Sequence, residues 1–219
     1  MRCKRSLTKT MKKLAPYFVI GCMAAIPSFA QPRFTWFVGG GPTVTINPIG
    51  SRLDNGWNVS AGAGVTGRTV GLNLDFMFSN NDINQNVLNQ VGAPNGSTRT
   101  WGVTLDPVVH FRPHSESPVD FYLTGGGGIY HRTVEYTQPA VVTITAFDPW
   151  FGAFFPANVA TNQVIGSYGV YKPGVDGGAG MTFKLGSSNV KVFAEARFHH
   201  IFTSRVDTNL IPVTIGLRW

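Results

Sequence analysis

The feature of this sequence that most constrains its fold is an alternation of apolar and polar residues with a period of two, repeated in eight segments. A period of two is the side-chain period of a β-strand that has one apolar face. The eight segments are residues 34–46, 57–65, 70–78, 99–111, 119–134, 168–185, 190–198 and 211–219. Because residues 31–219 contain no convincing helical periodicity, we predict an all-β domain of eight strands.

The connections between the segments alternate between two lengths. The short connections are residues 66–69, 112–118 and 186–189, and the longer ones are residues 47–56, 80–98, 138–163 and 203–208. An even number of strands, with short turns at one end and long loops at the other, is typical of bacterial outer-membrane barrels. Most segments have about ten residues, which is the length of a tilted strand that crosses a bilayer. The pattern predicts an eight-stranded antiparallel transmembrane up-and-down β-barrel.

The last segment, IPVTIGLRW, shows why a membrane suits the pattern. Its apolar face is formed by Ile211, Val213, Ile215, Leu217 and Trp219. In water, an open terminal strand that ends on an exposed tryptophan invites edge pairing. In a bilayer this face meets lipid, and the edge disappears when the last strand pairs with the first. We therefore expect outer-membrane lipid as a partner, and we expect this strand to be the signal that the outer-membrane insertion machinery reads.

A soluble β-sandwich or a lipocalin-like cup is the alternative, because its strands also alternate. The start of the chain and the unequal loop lengths favour the membrane barrel. Six basic residues precede residue 14, the stretch 14–26 is mostly apolar, and small residues follow at Ser28 and Ala30. This order predicts a secretory signal peptide at residues 1–30, a barrel domain at residues 31–219 and a location in the outer membrane.

The two ends of the chain give two alternatives and one further expectation. Lipidation at Cys22 is an alternative to cleavage after Ala30, because Val-Ile-Gly-Cys loosely resembles a lipoprotein box. Translation from Met11 is also compatible with the signal. We expect no peptidoglycan-binding domain to follow Trp219.

The net charge of the chain says little about partners once the signal peptide is removed. The formal charge is +7, from 18 basic and 11 acidic residues, but six of the basic residues and none of the acidic ones precede residue 31. The remainder keeps 12 basic against 11 acidic residues, so we expect no nucleic-acid partner. Both cysteines, Cys3 and Cys22, also lie in the signal. The barrel domain therefore has neither a disulfide framework nor a cysteine metal site.

Charged residues on the polar faces of the strands are predicted to point into the lumen. The eight residues of this predicted cluster are Asp75, Asp106, Lys172, Asp176, Lys184, Lys191, Glu195 and Arg197. An eight-stranded barrel is only wide enough for side chains to fill it, and an unpaired charge inside would be costly. Four acids and four bases therefore predict a paired, closed core, in which Arg197 reaches across to Asp75 or Asp106.

The third long connection is unusually apolar for a segment that faces water. Between residues 140 and 164 the one charged residue is Asp148, and the aromatic residues are Phe147, Trp150, Phe151, Phe154 and Phe155. Long apolar loops are usually ordered or functional. Three interpretations stay open: a loop that folds over the barrel mouth, an entrance for a small apolar ligand, and a surface that contacts a partner or lipid.

Four runs carry a resemblance to a known group of proteins. The runs YLTGGGGIYHRTVEYTQP, FDPWFGAFFP, KVFAEARFHHIFT and PVTIGLRW resemble the small outer-membrane β-barrel domain proteins of Gram-negative bacteria. These proteins are similar in architecture to the eight-stranded outer-membrane families. The resemblance implies the barrel fold over nearly all of residues 31–219, but it implies no settled activity.

The motifs that suggest catalysis have simpler interpretations, so we predict no catalytic, cofactor or metal site. Residues 62–67 match GxGxxG, yet a strand follows them instead of the helix that binds pyrophosphate. His199 and His200 are neighbours in a strand and point to opposite faces, so they cannot chelate one metal. Residues 110–116 crowd acid, base and nucleophile types into one turn, whereas a triad is assembled from separated elements.

We therefore predict a non-catalytic outer-membrane barrel with a structural or surface-interaction role. The first alternative is a conduit for small hydrophobic solutes that uses the third long loop as its entrance. A more remote alternative is a barrel enzyme that acts on lipid.

Overall fold

A computed structural model of the chain describes residues 33–67, 69–111, 118–186, 189–203 and 206–219. The predicted signal peptide at residues 1–30, with Cys22, lies outside the described residues. Residues from Arg33 to Trp219 form one compact unit.

Eight strands form a single closed sheet. They are β1 (Arg33–Ile46), β2 (Gly56–Thr66), β3 (Val70–Asp82), β4 (Asn95–Phe111), β5 (Val119–Asp148), β6 (Ala153–Lys184), β7 (Lys191–Ile201) and β8 (Thr208–Arg218). Each strand pairs antiparallel with the next one in the chain, and β8 pairs antiparallel with β1. The predicted eight-stranded antiparallel up-and-down barrel is confirmed.

The two faces of each strand divide as the alternation predicts. In β3, Asp75 and Met77 are buried, whereas their neighbours Leu74 and Phe76 are exposed. The exposed face of the barrel is therefore apolar and the buried face contains most of the polar groups, the reverse of a soluble protein. An apolar outer surface on a barrel without sheet edges is what a bilayer requires.

The seam between the first and last strands closes at a pair of tryptophans. The backbone N–H of Trp36 donates to the carbonyl of Trp219 at 2.8 Å, and the N–H of Trp219 donates to the carbonyl of Trp36 at 2.9 Å. The alternate residues of β8 that were predicted to face lipid lie on the outer face, and Thr214 and Arg218 between them are buried. The last strand is therefore paired along both sides and leaves no open edge.

The second long connection is more ordered than the sequence indicates. β3 continues to Asp82, a short helix α1 (Gln85–Val91) follows, and β4 already begins at Asn95. The Asn84 side chain caps the helix by accepting from the Asn86 N–H at 3.0 Å. A helix of two turns is too short to show a periodic pattern, and its formation depends on burying Leu88 in a cluster of loop residues.

The third long connection is the largest correction to the predicted fold. The sequence interpretation placed an irregular loop at residues 138–163, but β5 and β6 continue through this region as a β-hairpin that turns between Asp148 and Ala153. In the described part of the chain, β4 pairs with β5 only as far as Thr137, and β7 pairs with β6 only from Gly174. Residues 138–163, here named the apical ribbon, therefore continue as a two-stranded ribbon beyond the barrel wall.

Candidate functional site

The middle of the lumen is occupied by one arginine surrounded by four carboxylates. Arg197 Nη1 lies 2.6 Å from Asp75 Oδ2, 2.6 Å from Asp106 Oδ2 and 3.3 Å from Asp176 Oδ2. The Nε and Nη2 groups of Arg197 donate to Glu195 Oε1 at 2.9 and 2.8 Å. These residues come from β3, β4, β6 and β7, so the guanidinium ties opposite walls of the barrel together. We call these five residues the Arg197 network.

The structure brings five of the eight predicted lumen charges together and leaves three apart. Lys172 lies near the long-loop end, whereas Lys184 and Lys191 are register partners at the opposite end of β6 and β7. All three lysines occupy alternate positions of their strands that face the lumen. The alternation does not determine where along the barrel axis a side chain lies. The expectation that four bases balance four acids in one core is therefore wrong: one guanidinium faces four carboxylates.

Neighbouring side chains fill the space around the Arg197 network. Thr104 Oγ1 donates to Asp106 Oδ2 at 2.8 Å, and the Tyr122 hydroxyl donates to Glu195 Oε2 at 2.8 Å. The cavity that remains beside the network has a volume of about 20 Å³, which is room for a single water molecule. The described side chains therefore close the lumen at this level.

A second arginine lies in the lumen that was not among the predicted residues. Arg218 is buried, and its guanidinium carbon lies 5.1 Å from the Phe37 ring centroid, 4.9 Å from that of Tyr122 and 5.4 Å from that of Phe193. Contacts of this kind are favourable when the cation is removed from water. The alternation pattern of the sequence already indicates this lumen position, because Arg218 lies between two outward-facing residues of β8.

Closer to the long-loop end, the lumen opens into a cavity of about 530 Å³, here named the vestibule. Its apolar lining residues include Ile49, Leu53, Ile83, Val87, Val134 and Val206, and its cationic lining residues are Arg52, Arg132 and Lys172. Arg132 Nη1 donates to Thr208 Oγ1 at 2.7 Å. Since β5 also carries Tyr130 two residues deeper, packed with Met77 and Ile201, the vestibule ends on a closed floor.

The five aromatic residues of the apical ribbon are all exposed. Trp150 and Phe151 at the turn are the most exposed, at 93% and 84%. The Phe147 and Phe154 rings pack against each other with centroids 5.1 Å apart. None of these side chains is among the described residues that line the vestibule. The aromatic residues of the apical ribbon therefore do not form the wall of this cavity, and their exposure is compatible with a surface that contacts a partner or lipid.

The positions of the two histidines follow from the strand geometry. His199 is buried, with its Nδ1 2.8 Å from the Tyr130 hydroxyl, whereas the His200 Nδ1 lies 2.7 Å from Asn209 Oδ1. In the described ranges, no group of three His, Cys, Asp or Glu side chains has an arrangement that could hold a metal ion. Most of the segment 110–116, which contains acid, base and nucleophile types, lies outside the described residues.

No helix in the described ranges has the length and apolar character needed to cross a membrane.

Comparisons with known proteins agree at the level of fold. No protein-family model matches the chain, and no curated protein matches it. The chain is similar to the crystal structure of Neisserial surface protein A, with 14% identity, coverage of 84% of this chain and 95% of that chain, and a TM-score of 0.57. It is also similar to a major outer membrane protein from Thermus thermophilus, with 13% identity, coverage of 86% and 99%, and a TM-score of 0.50. The chain therefore has the fold of the small outer-membrane β-barrel proteins.

Proposed function

We propose that the protein is a closed, non-catalytic barrel of the outer membrane whose apical ribbon makes contact with an opposing lipid surface. The observation that carries this proposal is the exposure of apolar side chains on both faces and at the tip of the apical ribbon. The long loops of outer-membrane barrels face the outside of the cell, so the ribbon is displayed there.

The two faces of the apical ribbon are both unsuited to water. Phe147 and Phe154 are register partners on one face, and Ile144 and Phe155 lie on the other. All four are exposed, and Asp148 is the one charged residue between positions 138 and 163. A strand that docks on a protein usually presents one apolar face, whereas a ribbon that is apolar on both faces is suited to immersion in an apolar medium. A two-stranded ribbon alone is at best marginally stable in water, which also favours a partner.

The tip of the apical ribbon is arranged to project its aromatic residues. Asp148 Oδ1 accepts from the Trp150 N–H at 2.8 Å, and the Asp148 carbonyl accepts from the Gly152 N–H at 2.9 Å. Gly152 has a φ of +62°, a conformation that glycine adopts without strain. This turn holds Trp150 and Phe151 outward, and aromatic rings of this kind are favoured at membrane interfaces. Each ribbon strand is about 35 Å long at the usual rise per residue, so the tip extends well beyond the barrel.

The alternative of a conduit for hydrophobic solutes has less support. A solute that entered the vestibule would meet the floor formed by Met77, Tyr130 and Ile201, and then the Arg197 network. The free volume of about 20 Å³ beside that network leaves no path for a solute larger than water.

The proposal can be tested with the barrel in nanodiscs of unlabelled lipid, mixed with phosphatidylcholine vesicles that carry brominated acyl chains. Bromine quenches only a tryptophan that enters the vesicle membrane, and the other four tryptophans stay in the nanodisc. We expect vesicle binding and quenching for the native protein. The double variant Trp150→Ser/Phe151→Ser should lose vesicle binding, which is measured by co-sedimentation because the variant lacks the quenched tryptophan. Its fold should be retained, because both tip residues are exposed.

A matched control on the apical ribbon is Thr161→Ser/Gln163→Asn, which changes two exposed polar residues and should bind vesicles like the native protein. Equal vesicle binding by the tip variant and the control would overturn the lipid contact. Association of the nanodiscs with one another without vesicle binding would also overturn it.

We further propose that β8 is the strand that the outer-membrane insertion machinery reads. Trp219→Asp should lower the folded fraction in the outer membrane and leave export intact. Trp36→Asp is the matched control, because Trp36 is the backbone partner of Trp219 and is similarly exposed on the outer face. The folded fraction can be read from the difference in gel migration with and without heating. An equal loss in both variants would show a general effect of charge at the interface and would contradict the proposed role of β8.

A further inference from the structure

The vestibule combines an apolar wall with cationic side chains. Its apolar wall belongs to a packed cluster of residues from the long connections and from β5. The members of this cluster that line the vestibule are Ile49, Leu53, Ile83, Val87, Val134, Tyr136 and Val206, and Leu88 and Ala93 are buried in the same cluster. The wall is therefore preformed by packing. The volume of the vestibule, about 530 Å³, lies within the range of small-molecule sites.

The charge of the vestibule has one sign. Arg52, Arg132 and Lys172 line it, and none of the described lining residues is acidic. The floor of the lumen differs, because there a single arginine meets four carboxylates. The described lining of the vestibule therefore contains cationic side chains and no carboxylate, which is complementary to an anion.

Arg132 is the best-placed cation for this role. It has five N–H donors, of which Nη1 donates to Thr208. Its Nε is buried and makes no hydrogen bond to any residue in the described ranges. The Arg132 side chain lines the vestibule with its guanidinium incompletely paired, so it is suited to bind an anionic oxygen there through charge-assisted hydrogen bonds.

We infer that the vestibule is a binding site for an amphipathic monoanion, that is, a carboxylate attached to an aliphatic or aromatic body of medium length. The carboxylate is bound at Arg132, with Arg52 and Lys172 contributing to the field, and the apolar body covers the wall of loop residues. The floor at Tyr130 makes the site a dead end, so the ligand enters and leaves by the same mouth. This site is separate from the apical ribbon, whose aromatic residues do not line it, and the inference does not depend on the lipid contact proposed above.

Three water-soluble probes with the same apolar body separate charge from hydrophobicity. They are octanoate, octanol and octylammonium, titrated calorimetrically into the barrel in phosphatidylcholine nanodiscs, with empty nanodiscs as the blank for partition into lipid. We expect octanoate to bind at least about tenfold more tightly than the other two, because charge-assisted hydrogen bonds are the stronger ones.

Two variants and a matched control locate the site. Arg132→Gln should weaken octanoate binding about tenfold, and Arg52→Gln should weaken it severalfold through the loss of one nearby charge. Arg99→Gln removes one positive charge from the neighbouring strand β4 outside the vestibule, where Arg99 pairs with Glu135, and should leave binding unchanged. Because Arg52 is an exposed loop residue, its variant decides the question if Arg132→Gln does not fold.

Three results would overturn the inference. The first is equal affinity for the three probes, which would show an apolar site without charge selection. The second is octanoate binding no stronger than to empty nanodiscs. The third is octanoate affinity unchanged in both vestibule variants.

Discussion

Arg197 and Arg132 both point into the same barrel, but their surroundings are opposite. Arg197 contacts Asp75, Asp106, Asp176 and Glu195 in the middle of the lumen. Arg132 donates to the neutral hydroxyl of Thr208 at the start of β8, beside a cavity without acidic residues in its described lining. The comparison shows that one wall of eight strands can contain a filled, cross-linked region and an open, cationic region a few residues apart.

The difference has a geometric origin. In the middle of the barrel only the strands contribute inner side chains, and eight strands enclose just enough room for them. At the long-loop end the walls also include loop residues, such as Leu53 and Val206, which extend the enclosed space beyond the barrel. The filled region is therefore suited to holding the barrel together, and the open region to binding.

Removal of the Arg197 side chain should produce the largest effect. Arg197→Met leaves four carboxylates close together in the lumen without their cation, and breaking a buried ion-pair network in this way costs about 3–5 kcal/mol. Urea unfolding of the barrel, followed by the gel migration of folded and unfolded forms, measures the loss. Adding Asp75→Asn and Asp106→Asn to Arg197→Met should recover part of the stability. An unchanged unfolding midpoint for Arg197→Met would contradict the cross-linking role of the network.

Two glycines on β6 allow the packing in the filled middle of the lumen to be compared with the packing near the open long-loop end. A methyl group at Gly180 would overlap the ring and hydroxyl of Tyr122, which is held by its hydrogen bond to Glu195. At Gly166, near the long-loop end, the nearest atom to an added methyl is a Tyr136 ring carbon at 3.9 Å, which is an ordinary contact. Gly180→Ala should therefore cost about 1–3 kcal/mol of unfolding free energy, as overpacking does. Gly166→Ala should cost nothing measurable, and equal losses would show that packing does not differ between the two regions.

The smallest effect is expected for an ion pair on the outside of the barrel. Arg99 Nη2 lies 3.2 Å from Glu135 Oε2, and the Arg99 side chain is half exposed. Exposed pairs contribute about 0–1 kcal/mol, so Arg99→Gln should shift the unfolding midpoint far less than Arg197→Met. If Arg99→Gln lowered the unfolding free energy as much as Arg197→Met does, burial would not explain which arginine contributes more to stability.

The sequence predicted the faces of the strands well because the side-chain period of a strand is two. Arg197, Asp75 and Asp106 could be assigned to one interior, since each alternates with apolar neighbours that must meet lipid. The contact of Arg197 with Asp75 or Asp106 was expected because long side chains reach across a narrow barrel, whereas alternation itself carries no information about position along the axis. The same limit led the interpretation to include Lys184 and Lys191 in a cluster from which they are distant.

Other features were missed where the periodic pattern stops. The apical ribbon has exposed apolar residues on both faces, so its strands do not alternate and were interpreted as a loop. The vestibule depends on residues such as Ile49 and Val206, which lie in separate long connections and come together only through tertiary packing. The lumen positions of Tyr122 and Arg218, in contrast, could have been predicted from the sequence, because both lie at alternate strand positions that face the lumen.

The most direct test of the central claim is the ion conductance of the purified barrel in planar lipid bilayers. We predict no stable conductance steps for the native protein, because the Arg197 network and its neighbours fill the middle of the lumen and the cavity beside them has a volume of only about 20 Å³. Insertion of the barrel can be verified independently by its heat-modifiable gel migration. Regular conductance steps from correctly inserted native protein would show a continuous water path and would contradict the division between a closed lumen and a dead-end vestibule.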